Sequence, residues 1–371
     1  MRVQVTDLTK RYAPEGALLA GHRERPALDG VTLDISDGET LCLVGPSGCG
    51  KSSLLRLIAG LESPDAGQVR YNGHDVAEVA PQDRGVGMVF QDYALYPTMK
   101  GKGNLSYFFE VHQRTEAEAR QRAEEVADIM GVGFDLLLGQ RPGTLSGGEQ
   151  QRVAIARCIV RDPTLFLMDE PICNLDAKLR ESTRMEIKKL LRRFGITTVY
   201  VTHDQQEAVF VGDRIAVLRD GRLAQVGSFD DLYYEPVDLF VASFIGTRPM
   251  AVVPVAVENG EVFGDGFRWE LPKSLTDVVP NGRLRLGVRP EAWEHGASSG
   301  VSVTAERIEH VPTERLTLAH GMLGDVRLTV AVPGTTTEGE SLRLLPDWER
   351  ASFFAADSEA AVHTPGVPDF F

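Results

Sequence analysis

The pattern of apolar and polar positions changes character three times along the 371 residues. Val3 and Val5 alternate with polar neighbours, which predicts an edge strand, and residues 28–35 alternate again before the turn signal Asp37-Gly38. Two runs do not alternate. Thr40-Leu41-Cys42-Leu43-Val44 and Leu165-Phe166-Leu167-Met168 are apolar almost throughout, as in strands covered on both faces of a parallel sheet. A helix is predicted over 51–59, stopped by Gly60, with short strands at 69–71 and 86–90. Between 92 and 160 the pattern is mostly helical. An amphipathic helix over 112–130 is closed by Gly131, and a second starts at Ser146. An amphipathic helix over 178–194, a strand at 197–201, a helix from near His203, and a hairpin around Asp220-Gly221 follow. The segment 92–160 therefore reads as a helical insertion in an α/β core.

After about residue 245 the helical period fades. Short alternating runs separated by turns such as Asn259-Gly260 and Asn281-Gly282 predict an all-β domain, a small barrel, in residues 241–371. The last residues, 363–371, have two prolines and no period, and are expected to be loosely ordered.

Composition narrows the class. The net charge is −14, and residues 1–240 and 241–371 each carry −7, so no basic half is hidden and nucleic-acid binding by bulk electrostatics is not expected. The four cysteines, Cys42, Cys49, Cys158 and Cys173, form no C-x-x-C pair, which fits a reducing compartment and neither a disulfide framework nor a zinc site. No run approaches the length of a membrane span and no signal-peptide core opens the chain, so a cytosolic protein is expected, reaching a membrane only through partners.

Candidate chemistry lies at the ends of the apolar runs. Gly45-Pro46-Ser47-Gly48-Cys49-Gly50-Lys51-Ser52 fits G-x-x-x-x-G-K-[ST] between a strand and a helix. Glycines allow the backbone N–H groups to turn toward phosphate oxygens, and the new helix adds its own free N–H groups. Lys51 can reach the β- and γ-phosphates and Ser52 can ligate Mg²⁺. Asp169 and Glu170 end the apolar strand at 165–168, where a metal-binding carboxylate and a water-polarising base are needed. In Leu145-Ser146-Gly147-Gly148-Glu149-Gln150-Gln151-Arg152, Ser146 is a natural N-cap and two glycines bare a helix terminus for close approach to phosphate.

These motifs, in this order, resemble those of ATP-binding-cassette (ABC) ATPases over roughly residues 1–245. The resemblance implies a dimer in which the Ser146-Gly147-Gly148 terminus of one subunit, with Glu149, covers the ATP on the phosphate loop of the other. It implies that Gln91 touches Mg²⁺ and the attacking water and that His203 contacts the γ-phosphate. It adds Tyr12, stacking on adenine, and Ser53 and Asp176 to the nucleotide site. The phrases at 85–91, 93–97, 176–180 and 240–246 resemble the importer class for sugars and glycerol phosphates. Leu286-Gly287-Val288-Arg289-Pro290-Glu291 looks like part of that class's C-terminal oligonucleotide-binding-like (TOBE-type) regulatory domain. The expected fold is thus an α/β P-loop NTPase cassette, residues 1–240, carrying a helical subdomain at about 92–160, followed by that all-β domain at 241–371.

Several positions depart from the family pattern. Cys173 replaces the usual serine before Asn174, the loop at 16–26 is long enough to displace Tyr12, and Val311-Pro312-Thr313-Glu314-Arg315 replaces a glycine-bearing hairpin. Lys100-Gly101-Lys102-Gly103-Asn104 suggests an altered partner sequence or a more mobile loop. The expectation is an ATP- and Mg²⁺-dependent import ATPase at the cytoplasmic face of a membrane. It would pair with a second copy or a related cassette, work on two integral-membrane permease subunits, and be served indirectly by an extracytoplasmic solute-binding protein. Import of a polyamine, inorganic anion or iron, and a non-transport ABC ATPase, are the alternatives.

Overall fold

The computed structural model describes residues 1–12, 26–131 and 133–368, which form two compact units, Met1–Val226 and Gly227–Phe371. The expected long loop at 16–26 lies, apart from Pro26, outside the described residues. The first unit runs β1 (Val3–Lys10), β2 (Leu28–Ile35), β3 (Thr40–Val44), α1 (Lys51–Ala59), β4 (Ala66–Tyr71), β5 (His74–Asp75) and β6 (Val86–Val89). It continues through α2 (Gly101–Val111), α3 (Glu116–Met130), α4 (Phe134–Leu138), α5 (Gly147–Ile159), β7 (Leu165–Asp169), α6 (Ala177–Phe194), β8 (Thr197–Val201), α7 (Gln205–Val211), β9 (Arg214–Arg219) and β10 (Arg222–Gly227).

Two sheets carry this unit, ordered β2-β1-β4-β5 and β10-β9-β3-β8-β7-β6. In the second, β6, β7, β8, β3 and β9 pair parallel, and every residue of β3, β7 and β8 is buried. Burial on both faces is why these runs do not alternate. Consequently β3, β7 and β8 end side by side, and the segments after them converge. The N-terminal strand is not an edge: β1 pairs antiparallel with β2 on one side and β4 on the other. Alternation reports one buried face and says nothing about which strand edges are occupied.

The periodic stretch at 112–130 is shorter than expected. Thr115 N-caps α3, accepting from the Glu118 N–H at 3.2 Å, while the Glu118 carboxylate accepts from the Thr115 N–H at 2.9 Å. This reciprocal cap starts the helix at Glu116 and separates it from α2. Nor are residues 100–104 a loose loop. Asn104 is buried, its side chain accepting from Tyr96 N–H at 2.8 Å and donating to the carbonyls of Tyr96, Met99 and Lys100 at 3.2–3.3 Å. A Cβ on Gly101 would lie 2.6 Å from the Leu137 carbonyl oxygen, so this glycine serves close packing of α2 on α4.

The second unit begins at Gly227, ahead of the expected junction at 240/241, and opens with α8 (Phe229–Tyr234) and α9 (Leu239–Phe244). Then come β11 (Ala251–Glu258), β12 (Glu261–Gly264), β13 (Phe267–Glu270), α10 (Lys273–Thr276), β14 (Gly282–Val288), β15 (Trp293–His295), β16 (Val301–Thr304) and β17 (Arg307–Val311). β18 (Leu316–Leu323), β19 (Val326–Val332), β20 (Ser341–Pro346), β21 (Ser352–Ala355) and β22 (Ala361–His363) complete it. The strands form sheets ordered β13-β12-β11-β14-β21-β22, β15-β20-β16 and β17-β18-β19 over an apolar core that includes Trp269, Leu286 and Phe353. The predicted strand at 301–308 is broken into β16 and β17, and His363, expected to be loose, closes β22. Residues 312–315 make a 3-10 turn in which Arg315 takes φ +53°, the left-handed place a glycine would fill without strain. Buried Arg289 explains why α8 and α9 belong here. It donates to the Ile245 and Tyr233 carbonyls at 2.9 Å each and lies 3.6 Å from the centre of the Tyr233 ring.

Candidate functional site

The loop between β3 and α1 is built by glycines in positive-φ conformations: Gly45 at +154°, Gly48 at +78° and Gly50 at +106°. Two also have no room for a side chain. A Cβ on Gly45 would lie 2.3 Å from the Leu218 carbonyl oxygen, and one on Gly50 2.3 Å from that of Ala27. Gly50 N-caps α1 without a side-chain cap, and among the described residues the Gly48 and Gly50 N–H groups have no hydrogen-bond partner. A row of uncapped donors at a helix start is the electrostatic requirement for an anion. Lys51, only 7 % exposed, folds back over the loop and donates to the Gly45 and Pro46 carbonyls at 2.9 and 3.1 Å, with the Cys49 Sγ 3.9 Å away.

Strand order brings the other predicted groups to this loop. The Ser52 hydroxyl donates to Asp169 Oδ1 at 3.0 Å, joining the start of α1 to the end of β7. Burial pushes the Asp169 carboxyl up from its ordinary value; the Ser52 hydrogen bond opposes this and the Glu170 charge adds to it. Two hard oxygens 3.0 Å apart at a desolvated carboxylate suit a small divalent cation, which would reverse that shift. Glu170 stands at φ +45°, its N–H donating to the Val201 carbonyl at 3.0 Å, and its Oε2 lies 3.2 Å from His203 Nδ1. The Gln91 carbonyl accepts from Asn174 Nδ2 at 3.0 Å. The Tyr12 hydroxyl donates to the Glu62 carboxylate and lies 3.1 Å from Ser53 Oγ, from which it can accept, placing the tyrosine beside the first turn of α1.

The second glycine-rich motif is placed elsewhere. Among the described residues no hydrogen bond joins residues 146–149 to residues 45–52. Ser146 N-caps α5, and its N–H and hydroxyl both donate to Glu149 Oε2, at 2.8 and 2.7 Å. These bonds hold the Glu149 carboxyl below its usual value. A Cβ on Gly147 would lie 2.9 Å from Leu175 Cδ2, and one on Gly148 3.0 Å from Leu179 Cδ2. Asp176 caps α6, accepting from the Leu179 N–H at 3.0 Å. Within one chain, then, Lys51, Ser52, Asp169, Glu170 and His203 gather around the phosphate loop, while 146–149 and Asp176 make contacts of their own.

Comparison with known proteins decides the family. The family model described as ABC transporter matches residues 28–173. The xylose/arabinose import ATP-binding protein XacK of Haloferax volcanii is 48% identical over 78% of this chain and 74% of its own length. The chain belongs to the ATP-binding proteins of ABC transporters. The sn-glycerol-3-phosphate import ATP-binding protein UgpC of Roseobacter denitrificans is 40% identical over 97% of this chain and 96% of its own. A solved dimer of the ATP-binding cassette MJ0796, bound to ADP and Pi, superposes with a TM-score of 0.53 at 33% identity, over 61% of this chain and 98% of that one. The first unit is thus an ABC cassette, and the chain is an ABC ATPase.

Other residues shape the cassette's site without standing in a motif read from the sequence. Glu207 on α7 is buried, accepting from the Thr202 hydroxyl at 2.6 Å and from the Tyr200 hydroxyl. Burial raises its carboxyl above the ordinary value against both bonds. With Asp204, which caps α7, it fixes the turn presenting His203. Its signal was its place three residues after Asp204 in Thr202-His203-Asp204-Gln205-Gln206-Glu207, inside the first helical turn. A second feature is a groove of about 510 Å³ between the sheet and the helical insertion, with Met88, Phe90, Tyr96, Tyr107, Phe108 and Arg157 in its lining. Among the described residues no helix is long and apolar enough to cross a membrane.

Proposed function

We propose that this chain is the ATP-hydrolysing subunit of an importer for carbohydrates or glycerol-phosphate-type solutes, acting peripherally at the cytoplasmic face of a membrane. The observation that carries the reading is the pairing of Ser52 with Asp169 and of Glu170 with His203, at adjoining strand ends beside a loop of free N–H donors. The Gly48 and Gly50 N–H groups, unpartnered among the described residues, the N–H groups of the first turn of α1 and the Lys51 ammonium hold the phosphates, Ser53 extends that turn, and Tyr12 stacks on the base. Ser52, Asp169 and Gln91 would hold Mg²⁺, which supplies charge neutralisation on the phosphates. Glu170 takes a proton from the attacking water, and His203 holds that carboxylate in place and meets the γ-phosphate. Ser146, Gly147, Gly148, Glu149 and Asp176 complete the site of a second copy or a related cassette.

The solute class is supported by the near full-length similarity to a glycerol-3-phosphate import ATP-binding protein and by the pentose-import relative. The apolar groove suits a helix from one of two permease subunits, the paired cassette's groove taking the other's, and an external solute-binding protein would load the permease. We read the second unit, residues 241–371 with the preceding helices, as a TOBE-type, oligonucleotide-binding-like regulatory domain.

The test is Glu170→Gln. ATP-dependent dimers should accumulate on size-exclusion chromatography while phosphate release falls by at least about 10²-fold. Hydrolysis at the parent rate would remove Glu170 from the role of base. Uptake of labelled glycerol 3-phosphate and of a pentose, with and without the chain, tests the solute class.

A further inference from the structure

The segment after β6 carries two successive non-glycine residues in left-handed conformations, Tyr93 at φ +63° and Ala94 at φ +45°. Each such residue costs roughly 1–2 kcal/mol, so the pair persists only if its surroundings enforce it. Arg157, in the last turn of α5, supplies the enforcement. Its Nη1 donates to the Ala94 carbonyl at 2.6 Å and its Nη2 to the Tyr93 carbonyl at 3.1 Å, so one planar fork holds both strained residues. The same guanidinium lies 5.5 Å from the Tyr96 ring centre and borders the apolar groove. On the other side, the Tyr93 N–H donates to the Phe90 carbonyl at 2.9 Å, closing the turn around Gln91, and Asn174 holds the Gln91 carbonyl.

We infer that Arg157 is a positioning residue for ATP hydrolysis: by holding Tyr93 and Ala94 in the left-handed turn it sets Gln91. The inference rests on the reading of Gln91 as part of the site. Its physical content is strain held by a fork, so removing the strain should make the fork dispensable. A glycine at 94 adopts positive φ without penalty.

The experiment compares steady-state ATP hydrolysis and ATP binding by the full chain for Arg157→Ala, Arg157→Lys, Ala94→Gly, the Arg157→Ala/Ala94→Gly pair and Gln91→Ala. Arg157→Ala should lower kcat at least about tenfold, the loss expected for a single charge-assisted bond at the weak end of its range, while KM for ATP moves less than about twofold. Arg157→Lys, with no planar fork, should recover only part of that loss. Ala94→Gly alone should hydrolyse at close to the parent rate, and adding it to Arg157→Ala should restore part of kcat, Tyr93 keeping its own strain. No restoration by glycine, or a loss confined to KM, overturns the inference. If Gln91→Ala hydrolyses ATP normally, the reading of Gln91 fails; if Gln91→Ala is impaired while Arg157→Ala is not, the Arg157 inference fails and that reading stands.

Discussion

The cassette contains two glycine-rich helix starts, residues 45–50 before α1 and residues 145–148 at α5, and they use glycine for opposite reasons. At the first, Gly45, Gly48 and Gly50 hold positive φ and leave backbone donors bare. At the second, Gly147 and Gly148 have ordinary backbone angles, and the missing Cβ atoms make room for Leu175 and Leu179. The first start has no side-chain cap, while the second is closed by Glu149. One leaves backbone donors open to a ligand. The other is a packing surface within the chain, which under the proposed function meets a second cassette. Both looked like bared helix termini in the sequence, because a glycine letter does not say whether φ or volume demanded it.

The largest separation between them should come from alanine. Gly50→Ala puts a Cβ 2.3 Å from a backbone carbonyl at φ +106°, a clash no side chain can relieve. ATP binding should be lost along with about 1–3 kcal/mol of stability. Gly148→Ala meets the Leu179 side chain at 3.0–3.1 Å, which can shift a few tenths of an ångström. It should bind labelled ATP with an affinity close to the parent's yet lose ATP-dependent dimerisation. Equal loss of binding in both variants would erase the distinction.

Next comes the cap. Glu149→Ala removes the acceptor that holds the Ser146 N–H and hydroxyl, at a cost of about 0.5–1 kcal/mol. Those same bonds lower the Glu149 carboxyl value, so their stabilisation is present above the unfolded carboxyl range and is lost as pH falls through the folded value. The melting difference between parent and variant should therefore shrink on acidification. Glu207 has the opposite sign. Its carboxyl is raised by burial, so the folded chain holds that proton to higher pH than the unfolded one, and stability falls as pH rises from 4.5 through the folded value. Glu207→Gln, which can still meet the Thr202 and Tyr200 hydroxyls, should remove that slope. Thermal melts of parent and variant at a series of pH values would show the two curves diverging with rising pH.

The positions whose meaning is local were legible in the sequence. The strand-loop-helix around Lys51, the carboxylates ending β7 and the Asp220-Gly221 turn follow from period and turn chemistry, and Asp220 and Gly221 both stand at positive φ. What depends on a third element was not legible. That Val3 lies inside a sheet needed β4, that Gly101 serves packing needed Leu137, and that Arg157 forks onto residues 93 and 94 needed a partner more than sixty positions away. The Glu116 start of α3 was missed for another reason. The cap at Thr115 lay inside a stretch already periodic, and periodicity masks a break of a few residues.

The smallest effect tests the interiors behind the two helix starts. Lys51 is almost buried but satisfied by loop carbonyls, whereas Gln151, on α5, is 0 % exposed and both its amide atoms lack a partner among the described residues. An amide desolvated without compensation costs about 1–3 kcal/mol, and methionine fills nearly the same volume without that cost. Gln151→Met should therefore raise the melting temperature by a few degrees, about 1 kcal/mol or less, and leave ATP binding unchanged. A lower melting temperature would mean that the α5 interior is a satisfied polar network, and the contrast between a ligand cradle and a packing surface would then hold only at the glycines.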